Sequence, residues 1–86
     1  MANLPYSDRG EFRTFSSTVN AEELLWHWDA EDRTIKATKT SDWQFQFDNQ
    51  RPFILGEQVI FIKAGVWHRL IKGTGELVLH ITRHYQ

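Results

Sequence analysis

The chain has 86 residues, ten basic and eleven acidic, and no cysteine. A length of this order gives one domain spanning residues 1–86 and no second core; the near-neutral charge excludes the electropositive footprint of a nucleic-acid binder. Lack of cysteine excludes disulfides, thiolate metal sites and thiol nucleophiles, so a chain near the roughly 80-residue limit for unaided folding leans on aromatic packing, a histidine/carboxylate metal site or a partner subunit.

No apolar run approaches the roughly 20 residues that span a bilayer. The polar start lacks the apolar centre of a secretory signal. The expectation is therefore a soluble, cytoplasmic protein without membrane contact.

Residues 1–10 contain Pro5, Asp8 and Gly10 and read as an arm or loop. Glu11 to Val19 alternates loosely, as a first strand does. Asn20 to Glu23 is the one helical turn the pattern allows. Leu24 to Asp29 alternates, with Leu24, Trp26 and Trp28 on one face and Leu25, His27 and Asp29 on the other. Further strands are expected over Arg33 to Lys39, Trp43 to Asp48, Phe53 to Leu55, Glu57 to Lys63, Val66 to Lys72 and Glu76 to Arg83. Turn residues separate them, including Ser41-Asp42, Pro52, Gly56, Gly65, Gly73 and Gly75. About eight short strands with no long helix define an all-β sandwich or closed barrel.

The chemistry gathers on few residues. His27 and Asp29 are two apart on one expected strand, so they point the same way, about 6.5–7 Å apart along the chain. His68 sits between Val66 and Leu70 on an inward face. Should both strands line one interior, a His-x-Asp and a distant His form a facial set. Imidazole and carboxylate without sulfur suit iron(II), manganese, nickel or zinc. The same residues equally allow hydrogen-bonded histidines without metal, and an Asp29 that pairs with Arg33 or Arg69. Gln44, Gln46, Glu31 and Asp32 are the further candidates for lining a pocket. Trp26, Trp28 and Trp67 read as core or subunit-contact residues, and His80 and His84 as surface residues.

The run from Gly56 to His68 (GEQVIFIKAGVWH) resembles the second motif of the cupin family. That motif has a turn glycine, an apolar strand, a Pro-x-Gly turn and a metal-binding histidine. Gly56, Gly65 and His68 match, and Lys63 stands at the usual proline. Leu24 to Arg33 (LLWHWDAEDR) resembles the first motif, a His-x-His followed by glutamate. His27 matches the first histidine and Asp29 replaces the second. Arg33 falls at the glutamate, and Thr40 lies near the usual glycine. The resemblance runs from Glu23 to Ile81, roughly two-thirds of the chain. It implies a cupin-type jelly-roll barrel of eight short antiparallel strands, often a homodimer. It also implies a divalent metal at His27, Asp29 and His68 beside a small-molecule pocket. Two functions stand open: a metal-dependent enzyme, or a non-catalytic binding or oligomer-forming barrel.

Overall fold

The computed structural model describes residues 4–85. Eight strands and one short helical turn follow in the order β1 (Ser7–Arg9), β2 (Phe12–Phe15), η1 (Ala21–Glu23), β3 (Asp32–Ala37), β4 (Gln44–Phe47), β5 (Phe53–Ile54), β6 (Ile60–Ile62), β7 (His68–Ile71) and β8 (Leu77–His84). They form a five-stranded sheet, β1-β2-β8-β3-β6, and a three-stranded sheet, β5-β4-β7. Every pairing is antiparallel. Among the described residues no helix is long and apolar enough to cross a membrane.

Side-chain alternation explains which residues fill the core. Along β8, Leu77, Leu79 and Ile81 are buried while Val78, His80 and Thr82 are half-covered. On β3, Ile35 and Ala37 go inward and Lys36 outward; on β6, Ile60 and Ile62 go inward and Phe61 outward. The smaller sheet contributes Phe45, with Trp43 and Leu55 at its ends, all essentially without exposure. These residues form one cluster, so the two sheets enclose a shared core. Phe15 of β2 meets Trp43 with ring centroids 5.6 Å apart within this core. Period-two burial of this kind stabilises each strand only in one register.

Three expectations need correction. The first concerns the arm over residues 1–10. Ser7–Arg9 is a strand that pairs with β2, with Ser7 opposite Thr14, Asp8 opposite Arg13 and Arg9 opposite Phe12. Gly10 makes the tight turn possible with φ of 62°, and residues 1–3 lie outside the described part. The second concerns Leu24 to Asp29, which is no strand. Only His27 pairs, exchanging both backbone hydrogen bonds with His68 at 3.0 and 2.9 Å. Trp26 and Trp28 remain 37% and 52% exposed, because no sheet face covers their side of the chain. The third concerns closure. Hydrogen bonding does not run continuously around the molecule, and the two sheets are not closed into a barrel.

Candidate metal centre

The site forms where the segment before β3 crosses the start of β7. His27 is held against β7 by its double backbone bond to His68. Asp29 is fixed by its own backbone, whose carbonyl accepts from the Gly65 N–H at 2.9 Å. Gly65 has φ of 81°, which favours glycine at this turn. Three residues on, the Asp32 carboxylate accepts from the Ala64 N–H at 2.8 Å. The 64–65 turn is thus clamped to the Asp29–Asp32 segment, and that clamp delivers Asp29 to His68.

One donor atom from each of His27, Asp29 and His68 lies within 4.8 Å of those of the other two. Asp29 and His68 are buried; His27 is exposed. Both imidazoles are oriented from behind. His27 Nδ1 lies 2.9 Å from the Leu25 carbonyl, and His68 Nδ1 lies 2.8 Å from the Val66 carbonyl. A carbonyl oxygen only accepts, so each Nδ1 carries a hydrogen, which leaves Nε2 of each ring as the candidate ligand atom. Metal-binding histidines are held in this way. The rings themselves meet edge to face at 4.3 Å, and Phe45 stacks on His68 at 5.5 Å.

Asp29 supplies the decisive detail. Its Oδ2 lies 3.2 Å from His68 Nε2, and this buried oxygen has no well-aligned hydrogen-bond partner among the described residues. Burying such an oxygen without a partner is costly, and a cation held between it and His68 Nε2 would supply one. Burial disfavours the charge of Asp29, but the adjacent His68 ring and then the Arg33 guanidinium outweigh it, holding the carboxyl below its ordinary value of 3.8. The other oxygen, Oδ1, lies 3.3 Å from Arg33 Nη1. Arg33 is held in turn by Glu31, which accepts from its Nε at 2.9 Å and lies 2.8 Å from its Nη2. The choice between Arg33 and Arg69 as partner of Asp29 therefore falls to Arg33. Arg69 instead donates to Gln46 at 2.9 Å and covers the Trp26 ring at 4.7 Å.

A cavity of about 330 Å³ adjoins the three residues and penetrates the space between the sheets. None of Gln44, Gln46, Glu31 and Asp32 lines it. Gln46 is tied to Arg69 and to the Gln50 carbonyl, Glu31 braces Arg33, and Asp32 holds the 64–65 turn. His80 pairs with Glu11, and His84 with Thr34, away from the site. The cavity wall includes residues that the sequence pattern did not single out: Tyr6, Arg13 and Glu23. Arg13 spans Asp8, with contacts of 2.8 and 3.0 Å, and lies 3.7 Å from the Tyr6 ring centroid. Alternation along β2 places Arg13 with Phe15, and that shared parity was the available signal.

The architecture defines a two-sheet all-β protein with a His2Asp cluster beside an internal cavity. No family model matches the chain, and no curated protein matches it. Among solved structures, the crystal structure of protein NMB1881 from Neisseria meningitidis is similar, with a TM-score of 0.54 and 20% identity. The likeness covers 92% of this chain and 80% of that chain. At that identity it establishes a shared fold alone.

Proposed function

We propose that this chain is a small cupin-like protein that holds a divalent transition metal at His27, Asp29 and His68 and takes a small molecule into the adjoining cavity. The observation that carries the reading is the buried Asp29 Oδ2, without a hydrogen-bond partner among the described residues and 3.2 Å from His68 Nε2. Two imidazoles and one carboxylate fit iron(II), manganese, nickel or zinc. An ion about 2.1 Å from each donor spans at most about 4.2 Å between opposite donors, so small rotations of the exposed His27 complete a set that already lies within 4.8 Å. Three protein ligands leave coordination positions open, and the ion supplies Lewis acidity or oxygen activation there. His27 and His68 orient through their Nδ1 hydrogen bonds, Asp29 lends charge, and Phe45 shields His68 from water. Elemental analysis of untagged protein tests this. A stoichiometric metal that disappears in His27→Ala and His68→Ala is the expected result; a metal-free protein that binds none on titration overturns it.

A second reading rests on the exposed indoles of Trp26, Trp28 and Trp67. Aromatic residues on a surface favour subunit contact, and a two-fold homodimer is the commonest arrangement. In this reading the two-sheet domain serves as an oligomer-forming or binding module without catalysis. Light scattering tests it: a dimer dispersed by Trp28→Ser supports it, and a strict monomer removes it.

A further inference from the structure

We infer that the cavity beside the metal centre takes an amphipathic monocarboxylate, its head at the metal and Arg33 and its hydrocarbon tail between the sheets. This rests on the metal reading above and names the ligand class for that site.

Charge selects the head. The charged residues of the cavity wall cancel, Arg13 and Arg33 against Glu23 and Asp29. A divalent ion bound at Asp29 leaves the wall with an excess of two positive charges. Arg33 has five N–H donors, and its contacts with Glu31 and Asp29 occupy three. Donors therefore remain for a carboxylate that sits on the metal. A carboxylate meets both demands, and an ammonium group meets neither.

The wall selects the tail. Phe15, Ile35, Phe45, Ile62, Leu79 and Ile81 are core residues, yet they also border the cavity. Carbon walls without a neighbour forgo dispersion contacts, and a hydrocarbon chain restores them. At about 30 Å³ for each non-hydrogen atom, the share of a water molecule in the liquid, a cavity of about 330 Å³ holds about ten such atoms. That corresponds to a carboxylate of medium chain length. Exposed Glu23 and Leu25 stand at the open side, where an entering chain passes.

The experiment uses the full chain and two successive titrations. Cobalt(II) is first titrated into metal-free protein alone, followed by its visible absorption and by calorimetry. The straight-chain acids from acetate to dodecanoate are then titrated into the cobalt-loaded protein, with octylamine and octanol as controls. Affinity is expected to rise about fourfold for each added methylene, and to stop rising near eight to ten carbons. Octanoate is expected to perturb the cobalt spectrum and to bind at least tenfold more tightly than octylamine. Arg33→Gln is expected to weaken octanoate about tenfold while cobalt remains bound. Failure of cobalt to bind in the first titration overturns the metal reading and this inference with it. Cobalt binding followed by an affinity that ignores chain length, or that is equal for acid and amine, overturns the ligand class alone.

Discussion

Asp29→Asn separates metal binding from folding, because it alters one buried atom and leaves the shape of the side chain. Without metal, the amide nitrogen can replace the unpartnered Oδ2 and donate across the 3.2 Å gap to His68 Nε2 when that ring is neutral. A neutral hydrogen bond of this kind contributes about 1 kcal/mol. The charge attraction to Arg33 across 3.3 Å is lost, although Arg33 keeps Glu31 at 2.8 Å. The two changes oppose each other, so the metal-free variant is expected within about 1 kcal/mol of the parent. With metal the two proteins diverge. An ion at a hundred times its Kd stabilises the parent by about 2.7 kcal/mol, and for a domain of this size each kcal/mol moves Tm by about 4–8 °C. The parent should therefore gain roughly 10–20 °C on adding zinc or cobalt(II), and the variant only a few degrees. Thermal unfolding followed by circular dichroism, with a chelator and then with metal, reads both quantities. A parent that gains nothing, or a variant that gains as much as the parent, refutes the assignment of Asp29 as a ligand.

Gly73→Ala should destabilise the protein by about 1–3 kcal/mol through overpacking, because a Cβ there would lie 2.7 Å from both the Trp43 backbone nitrogen and its Cδ1; an unchanged Tm contradicts this. Trp43→Phe removes the donor that bonds the Gly75 carbonyl at 2.7 Å and shrinks a fully buried side chain. A cost of about 2–4 kcal/mol should appear as a lower urea midpoint at unchanged slope. The Asp42 carboxyl is held below its ordinary 3.8 by the Thr74 hydroxyl and then the Thr74 backbone N–H, both of which donate to it. Its contribution is complete above that ordinary value and is lost as pH falls through the lowered folded-state value. Asp42→Asn should therefore be less stable than the parent at neutral pH, with the difference shrinking as pH drops below 3.8; unfolding midpoints measured against pH check the trend, and a gap independent of pH contradicts it.

Legibility differed from element to element for physical reasons. β8, β3 and β6 were readable because each is buried on one face, and one-sided burial writes a period of two into the residues. β1 was not, since Ser7, Asp8 and Arg9 are all exposed and carry no such pattern. Trp26 and Trp28 misled in the opposite sense. Their spacing mimics a strand, but the indoles face outward and only His27 between them joins a sheet. The grouping of His27, Asp29 and His68 was legible from the cupin-like spacing, although the strand parity invoked for it does not hold, because Leu24 to Asp29 is no strand. What places them together was not, because it depends on the backbone clamp from Gly65 and Ala64, for which no side-chain pattern exists. Arg33 was visible as a departure from the usual glutamate, while its contact with Asp29 required coordinates.

The position of the site bears on how so short a chain holds its shape. His68 opens β7 in the smaller sheet, whereas Asp29 leads into β3 in the larger one. His27 lies between them and is hydrogen-bonded only to the β7 side. An ion bound by all three would therefore tie β7 of the smaller sheet to the segment leading into β3 of the larger one, reinforcing the backbone clamp between Gly65 and Asp29. With no cysteine in the chain, no disulfide can make that link, and small domains turn to metals for this purpose. On this argument the same ion that prepares the cavity for a ligand also closes the fold, and the two roles should fail together. Metal removal ought to loosen the sheet contact around Phe45 and His68 before it affects the distant pairing of β2 with β8. Hydrogen exchange with and without chelator distinguishes that order: early loss of protection at His27 and His68, with Leu77 and Leu79 unchanged, is the pattern expected of a cross-link.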